Sequence, residues 1–416
     1  MNNHDLDCKF GLTLVKQKLL PKYDAVIIGA GASGLMCALR AGQRGLRVLL
    51  LDRADQVGSK ILVSGGGRSN FTNRHIAPDC YISSNPHFCL SALKTYTQND
   101  FITLVEKHKI SYHEKALGQL FCDNSAKDIV AMLVEECRAS NVDINLGQQI
   151  KSVGKTDSFQ IQTQNETIEA SSLVLATGGL SIPKMGATAF SHQAAAHFGL
   201  ALTETHPGLV PLVFDGKNLD FMRALSGLAL DVIVTCGKRS FRDSMIFTHR
   251  GLSGPAILQI SSYWSKGQSL SINLLPDINA ETFLLDRKQA RSKATIKTVL
   301  GEVLPQRFAQ GIVQSLITAN LSTLPIGEIS NKSLKEVSAL LGAWTIMPTG
   351  DEGYAKAEVT LGGVSTHDLA SKTMEAKKVP GLYVIGEALD IAGWLGGYNL
   401  QWAWSSGWAA GSAIGG

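Results

Sequence analysis

A chain has few ways to fold when an apolar strand runs into spaced glycines, then a helix, then a second strand ending on an acid. Residues 23–52 have that form: YDAVIIG, GAGASG, an Ala/Leu/Met-rich stretch, and RVLLLD closing on Asp52. Order and spacing are those of a dinucleotide-binding β-α-β unit. Gly29 permits the tight turn, Gly31 lets the backbone approach a pyrophosphate, and Gly34 lets the helix pack close to the sheet. Ala32 and Ser33 open the helix, whose free amides face the phosphates. Asp52 is placed to accept both hydroxyls of an adenosine ribose, with Arg53 beside it, and an acid there disfavours a 2′-phosphate. FAD and NAD share this unit, so the choice between them comes from elsewhere.

The chain has 416 residues, 44% hydrophobic and 18% charged, which suits a globular protein of two or three domains. Its net charge of +4 permits nucleic acid without demanding it. In the densest basic segment, 286–297, Arg287 and Arg291 would share a helical face, as would Lys293 and Lys297. Seven cysteines without a CxxC pair point to reduced thiols, with neither a metal site nor a disulfide relay. The first twenty residues resemble neither a signal peptide nor a membrane anchor, and a cytoplasmic location is expected.

After Asp52 comes a second glycine cluster, SGGGRSNFTN at 64–73, preceded by Lys60. Residues 88–108 and 125–140 read as amphipathic helices and 142–170 as short strands. SLVLATGG at 172–179 is a strand ending in Thr177, Gly178 and Gly179, as expected where a parallel strand passes beneath a cofactor. From about 195 to 350 the chain looks like a separate β-rich unit, with helices from 281 to 343 broken at Pro305 and Pro325. The expected division is an N-terminal extension at 1–22, a nucleotide-binding domain at 23–194 plus 352–416, and an insertion at 195–351.

The segment 381–411 selects the cofactor. GLYVIGE delivers Gly386 and Glu387 to a strand end, where two-part FAD proteins place a carboxylate on the ribityl chain. Asp390 follows in the same set. Gly396 and Gly397 then open a helix near Asn399 and Leu400, offering amides and a positive dipole end to the flavin N1/O2 edge. FAD needs this second, distant contact set, and NAD alone does not.

Together, SGGGRSNFTN, HEKALGQLFCD, LATGGLSIP, FTHRGLSGPAILQISSYW, AEVTLGGVSTHDL and GEALDIAGWLGGYNLQWAWSSG resemble the YhiN/BaiN-type flavoproteins, the aminoacetone-oxidase-like NAD(P)/FAD-dependent oxidoreductases. The resemblance runs from about 23 to 410. It implies an α/β fold: a Rossmann-like FAD-binding domain with an inserted β-barrel (about 195–278) carrying a small helical subdomain (about 279–345). The glycine cluster, with Ser64, Gly65, Gly66, Arg68 and Asn70, then lies against FAD. That family usually has a cysteine where this chain has Ser69, which keeps the size but not the thiol.

With one dinucleotide fingerprint, FAD is expected to be resident and NAD(P)H a transient reductant. The TLGG element at 360–363 and the glycine-opened helix are similar to the ending of fumarate-reductase and ketosteroid-type flavoproteins, which move hydride between flavin and an activated C=C bond. Such a step needs a polarised carbonyl and a proton donor. Arg68 and Asn70 are candidates for the first; His249, beside Arg250, with Tyr398 and Cys122, are candidates for the second. The resemblance implies two substrates, a uridine of ribosomal RNA reduced to dihydrouridine or a steroid-like enone, and the RNA branch is preferred. Amine oxidation of the aminoacetone type is a third possibility, and a non-enzymatic flavin protein a fourth.

Overall fold

The computed structural model describes residues 23–416, so the extension expected at 1–22 lies outside the described residues. Tyr23–Ile28 and Val48–Leu51 are apolar and buried almost throughout, as strands covered on both faces must be. They lie in a parallel array ordered Asp143–Asn145, Val48–Leu51, Tyr23–Ile28, Thr167–Leu175 and Leu382–Val384. Registers Ile28↔Leu51 and Ile28↔Leu175 bring three strand ends level, and Leu175↔Val384 adds the C-terminal strand on the far side. The first half of Thr167–Leu175 pairs instead with Phe159–Thr163, which continues antiparallel to Ile150–Lys155.

The helix Ala32–Gln43 packs against the helix Tyr398–Ala413. A Cβ added at Gly407 would sit 2.4 Å from the Ser33 carbonyl, and one at Gly411 2.6 Å from that of Cys37. Only glycine lets the two backbones touch. Two buried tryptophans fix the C-terminal helix on its other sides. Trp404 donates to the Phe71 carbonyl (2.8 Å) and stacks on Phe101 at 4.4 Å, and Trp402 donates to the Gly386 carbonyl (3.1 Å). The amphipathic stretch at 88–108 forms two helices, Leu90–Thr95 and Gln98–Lys107. Thr97 interrupts them because it exchanges capping hydrogen bonds with Asp100.

A second, antiparallel sheet of seven strands runs in the order Trp344–Ile346, Leu270–Asn273, Ala229–Cys236, Arg239–Phe247, Gly251–Ser253, Leu212–Val213 and Gly350–Asp351. Its two edge strands are not paired with each other, so no backbone ladder closes it into a barrel. Leu230, Val232, Val234 and Cys236 alternate onto one buried face. They share a core with the helices Ala280–Ala290, Ile296–Leu300, Gln306–Ser315 and Asn331–Gly342. Pro305 and Pro325 precede helical segments, where a missing amide costs nothing. The basic segment 286–297 is not one helix, since it breaks after Ala290. Arg287 and Arg291 both bind Glu302 at 2.6 Å, so their charge is satisfied locally.

A two-stranded antiparallel ribbon, Leu202–Gly208 with Val359–Val364, carries the chain between the two sheets, with a register shift between Thr203 and His206. Leu209 and Val359 belong to a small apolar cluster at its end.

Candidate active site and cofactor cavity

A continuous cavity of about 1020 Å³ opens at the C-terminal ends of the parallel strands. Ligands of such sheets bind there, and the volume lies at the top of the usual range of roughly 300–1000 Å³. At its phosphate end, Gly29 (φ +115°) has no room for a side chain, since an added Cβ would lie 2.4 Å from the Ala176 carbonyl. Gly34 lies behind the wall, where its Cβ would fall 1.8 Å from the Gly29 carbonyl. Gly31 has nothing within 4 Å of an added Cβ and lines the cavity with Ala32 and Ser33, leaving a bare backbone cradle. Asp52 and Arg53 line the same end. Amides of Ala30 (2.6 Å) and Ala54 (2.8 Å) hold one carboxylate oxygen each of Asp52, fixing the group while leaving lone pairs for hydroxyls.

Midway along, Glu387 is held from three directions. Lys60 Nζ donates to its Oε2 (2.8 Å) and to Ser181 Oγ (2.7 Å), Ser181 Oγ donates to Oε1 (2.7 Å), and the Thr360 amide donates to Oε1 (3.0 Å). Desolvation opposes the charge, but the Lys60 ammonium and these hydrogen bonds outweigh it and lower the carboxyl pKa. Thr360 Oγ1 accepts from the Leu180 and Ser181 amides, which fastens the loop after Thr177 and Gly178, two further wall residues. Gly179 is not in the wall; its added Cβ would fall 2.4 Å from Thr360 Oγ1, so it lets Thr360 approach.

The far end is lined by Ser64, Gly65, Gly66, Asn70, Gly396, Gly397, Asn399 and Leu400. Gly397 (φ +94°) caps the helix Tyr398–Ala413 without a side chain, so no side chain caps the first amides of the helix. The Asn399 amide is spent on Gly393 and the Trp394 carbonyl, which braces the preceding turn. In the orientation that satisfies its neighbours, Asn70 donates to the carbonyls of Thr72 and Leu120 (3.2 Å each) and accepts from the Gly397 amide (3.3 Å). These hydrogen bonds brace the loop at the far end of the cavity.

Several expected residues stand elsewhere. Arg68 is exposed outside the cavity; its carbonyl accepts from the Cys122 amide (2.9 Å). Ser69 is fully buried, consistent with a packed small residue. His249 is also exposed and outside, and Arg250 pairs with Glu352 at 3.5 Å. Tyr398 begins the helix but turns its ring between Tyr81 and Trp394, outside the wall, where burial raises its pKa. Burial also pushes the Cys122 thiol up to about 12. Gly386 backs onto Ser33, and Asp390 accepts from Ser84 through both its amide (3.0 Å) and hydroxyl. His113, in the block HEKALGQLFCD, pairs with Asp123 (2.7 Å).

Other wall residues carry no sequence signal of their own. Leu209, Val359, Ile391 and Leu395 give one end an apolar lining, and Gln119 and Phe121 enter from the strand Gln119–Cys122. Glu358 also faces the cavity, and among the described residues its side chain has no hydrogen-bond partner. The residue is solvent-exposed, yet enough protein lies around its carboxyl for partial desolvation to raise its pKa. A lone acid in the apolar run EVTLGG was the one available hint.

The wall residues fit FAD. A bare cradle for the pyrophosphate, a fixed carboxylate for the ribose and a helix N-terminus for the flavin ring lie in sequence along one cavity.

Comparison with known proteins agrees. The chain is 49% identical over 395 residues to the ribosomal RNA dihydrouridine synthase of Escherichia coli K12, covering 94% of this chain and 97% of that protein. It is 45% identical over 401 residues to the protein of the same name from Haemophilus influenzae, covering 94% and 98%. The 3-dehydro-bile acid delta(4,6)-reductase of Clostridium scindens is 28% identical over 407 residues, covering 93% and 98%. Residues 23–413 match the HI0933-like protein Rossmann domain, and the chain therefore belongs to that family.

Proposed function

We propose that this protein is an FAD-dependent oxidoreductase that reduces the C5=C6 bond of a uridine in ribosomal RNA, with NAD(P)H as reductant and the cytoplasm as its place of action. The observation that carries the reading is the alignment at 49% identity over nearly the whole length of a ribosomal RNA dihydrouridine synthase. The reaction balances as uridine plus NAD(P)H plus a proton giving dihydrouridine plus NAD(P)⁺. Bound FAD supplies the hydride relay between nicotinamide and base.

Gly29, Gly31, Ala32 and Ser33 would hold the pyrophosphate, Asp52 and Arg53 the adenosine, Lys60 and Glu387 the middle of the cofactor, and Gly396 and Gly397 the ring. That leaves Gln119 to hydrogen-bond the uracil imide edge and Glu358 to deliver the proton to the carbon that receives no hydride. A carboxyl with a raised pKa keeps more of its acid form near neutrality, as a donor requires. The apolar wall of Leu209, Val359, Ile391 and Leu395 excludes water, and it also supports a second reading, reduction of a small enone of the kind named for the Clostridium relative.

Deleting the gene and digesting ribosomal RNA to nucleosides tests the choice. Loss of dihydrouridine, restored by the intact gene, is expected; unchanged dihydrouridine would overturn the RNA reading. Anaerobic addition of NADH and of NADPH to the yellow protein identifies the reductant.

A further inference from the structure

The hairpin Tyr112–Glu114/Gln119–Cys122 stands at the cavity with its tip in solvent. Leu117 at that tip is 63% exposed, the largest value among the exposed large hydrophobics of the described residues. Its backbone is left-handed (φ +61°), which is unfavourable for leucine and persists only where neighbours impose it. Asn73 imposes it. Almost fully buried, Asn73 donates through one nitrogen to the Leu117 carbonyl (3.1 Å) and to the Gly396 carbonyl (2.9 Å). The exposed tip is thus tied to the glycine turn at the reaction end of the cavity.

The rest of the hairpin is suited to nucleobases. Phe121 lines the cavity and stacks on exposed His113, with centroids 6.1 Å apart and planes 17° apart. Lys115 lies over the same ring at 5.5 Å. Among the described residues neither Lys115 nor the exposed Arg68, whose carbonyl joins the hairpin at Cys122, forms an ion pair. Two cations, an aromatic platform and an apolar point therefore stand on or beside the one hairpin whose Phe121 enters the cavity, a combination that matches phosphates, bases and a base stack.

A uridine within stacked RNA has to leave the stack to reach a buried reaction centre, and enzymes that extrude a base often fill the gap with an apolar side chain. We propose that this hairpin is the stack-opening element. Leu117 enters the space left by the uridine, His113 and Phe121 receive an adjacent base, and Lys115 and Arg68 hold the flanking phosphates. The inference rests on the ribosomal RNA reading above.

The test uses the full chain loaded with FAD. One substrate is an RNA hairpin carrying the reactive uridine in its stem; the other is the same strand shortened so that the uridine is unpaired. Leu117→Gly removes the side chain and suits the left-handed backbone, so the loop keeps its shape, while Leu117→Met keeps apolar bulk. Leu117→Gly is expected to lower the ratio of kcat/KM on the paired over the unpaired uridine about tenfold, and Leu117→Met to restore it to within about threefold of wild type. An unchanged ratio with Leu117→Gly overturns the wedge. So does a Leu117→Met variant as impaired as the glycine one. Wild-type protein that reduces neither RNA overturns the RNA reading itself, a distinct outcome.

Discussion

Lys60→Met removes the ammonium that faces Glu387 and keeps the side-chain length. Breaking a fully buried ion pair costs about 3–5 kcal/mol, because the remaining charge has lost its water. This pair is less enclosed: the Lys60 side chain is 35% exposed and that of Glu387 19%. Glu387 would also keep the Ser181 hydroxyl and the Thr360 amide. Screening and these donors reduce the expected loss to roughly 1–2 kcal/mol. The pH dependence has a defined sign. The folded pKa of Glu387 lies below its ordinary 4.5, so its stabilisation is complete above that value and drains away as pH falls through the folded pKa. Without Lys60 that pKa is no longer held down, and the loss begins at higher pH. Urea unfolding of cofactor-free wild type, Lys60→Met, Glu387→Gln and the double variant gives the coupling, expected to be about 1 kcal/mol at neutral pH. A coupling within about 0.3 kcal/mol of zero, or acid-unfolding curves of wild type and Lys60→Met that superimpose, would refute the reasoning.

Three further outcomes follow from the same site. Glu358→Gln should lower kcat about 10²-fold or more. In wild type the rate should fall as pH rises through the raised Glu358 pKa, and that limb should flatten in the variant; an unaltered pH–rate profile would remove Glu358 as the acid. Gly34→Ala places a methyl 1.8 Å from the Gly29 carbonyl, and the backbone shift should cost about 1–3 kcal/mol and abolish FAD retention, read from the flavin absorbance of the purified protein. Tyr398→Phe and His249→Ala should each leave kcat within about twofold of wild type, since both side chains lie outside the cavity; a tenfold loss in steady-state turnover for either would place it in the chemistry after all.

The end of the cavity built by Gly29, Gly31 and Asp52 was legible because its requirements are local. A turn, a helix start and an acid at a fixed distance place Gly29, Gly31 and Asp52 whatever the rest of the chain does. Glu387 was legible for the same reason, as an acid delivered by a strand end. Tyr398 was not, because position along a chain does not reveal rotation about a helix axis: it starts the helix between the wall residues Gly397 and Asn399 while its ring points to Tyr81. The basic residues at 286–297 misled because their partner, Glu302, follows a helix break that spacing does not reveal. Gln119 reaches the cavity only because its strand pairs with Asn70–Asn73, an association between segments nearly fifty residues apart. Glu358 depends on a meeting of residues still farther apart, the ribbon that sets Gly208 opposite Val359.

That ribbon has a mechanical consequence. Leu209 and Glu358 each adjoin its paired end at Gly208 and Val359, and the Glu358 amide donates to the Leu209 carbonyl (3.2 Å). Leu209, Val359 and Glu358 are therefore fastened to one another at the crossing point. A displacement of the ribbon's paired end would carry Leu209 and Glu358 together, so the wall residue and the acid would keep their spacing if the two sheets shifted.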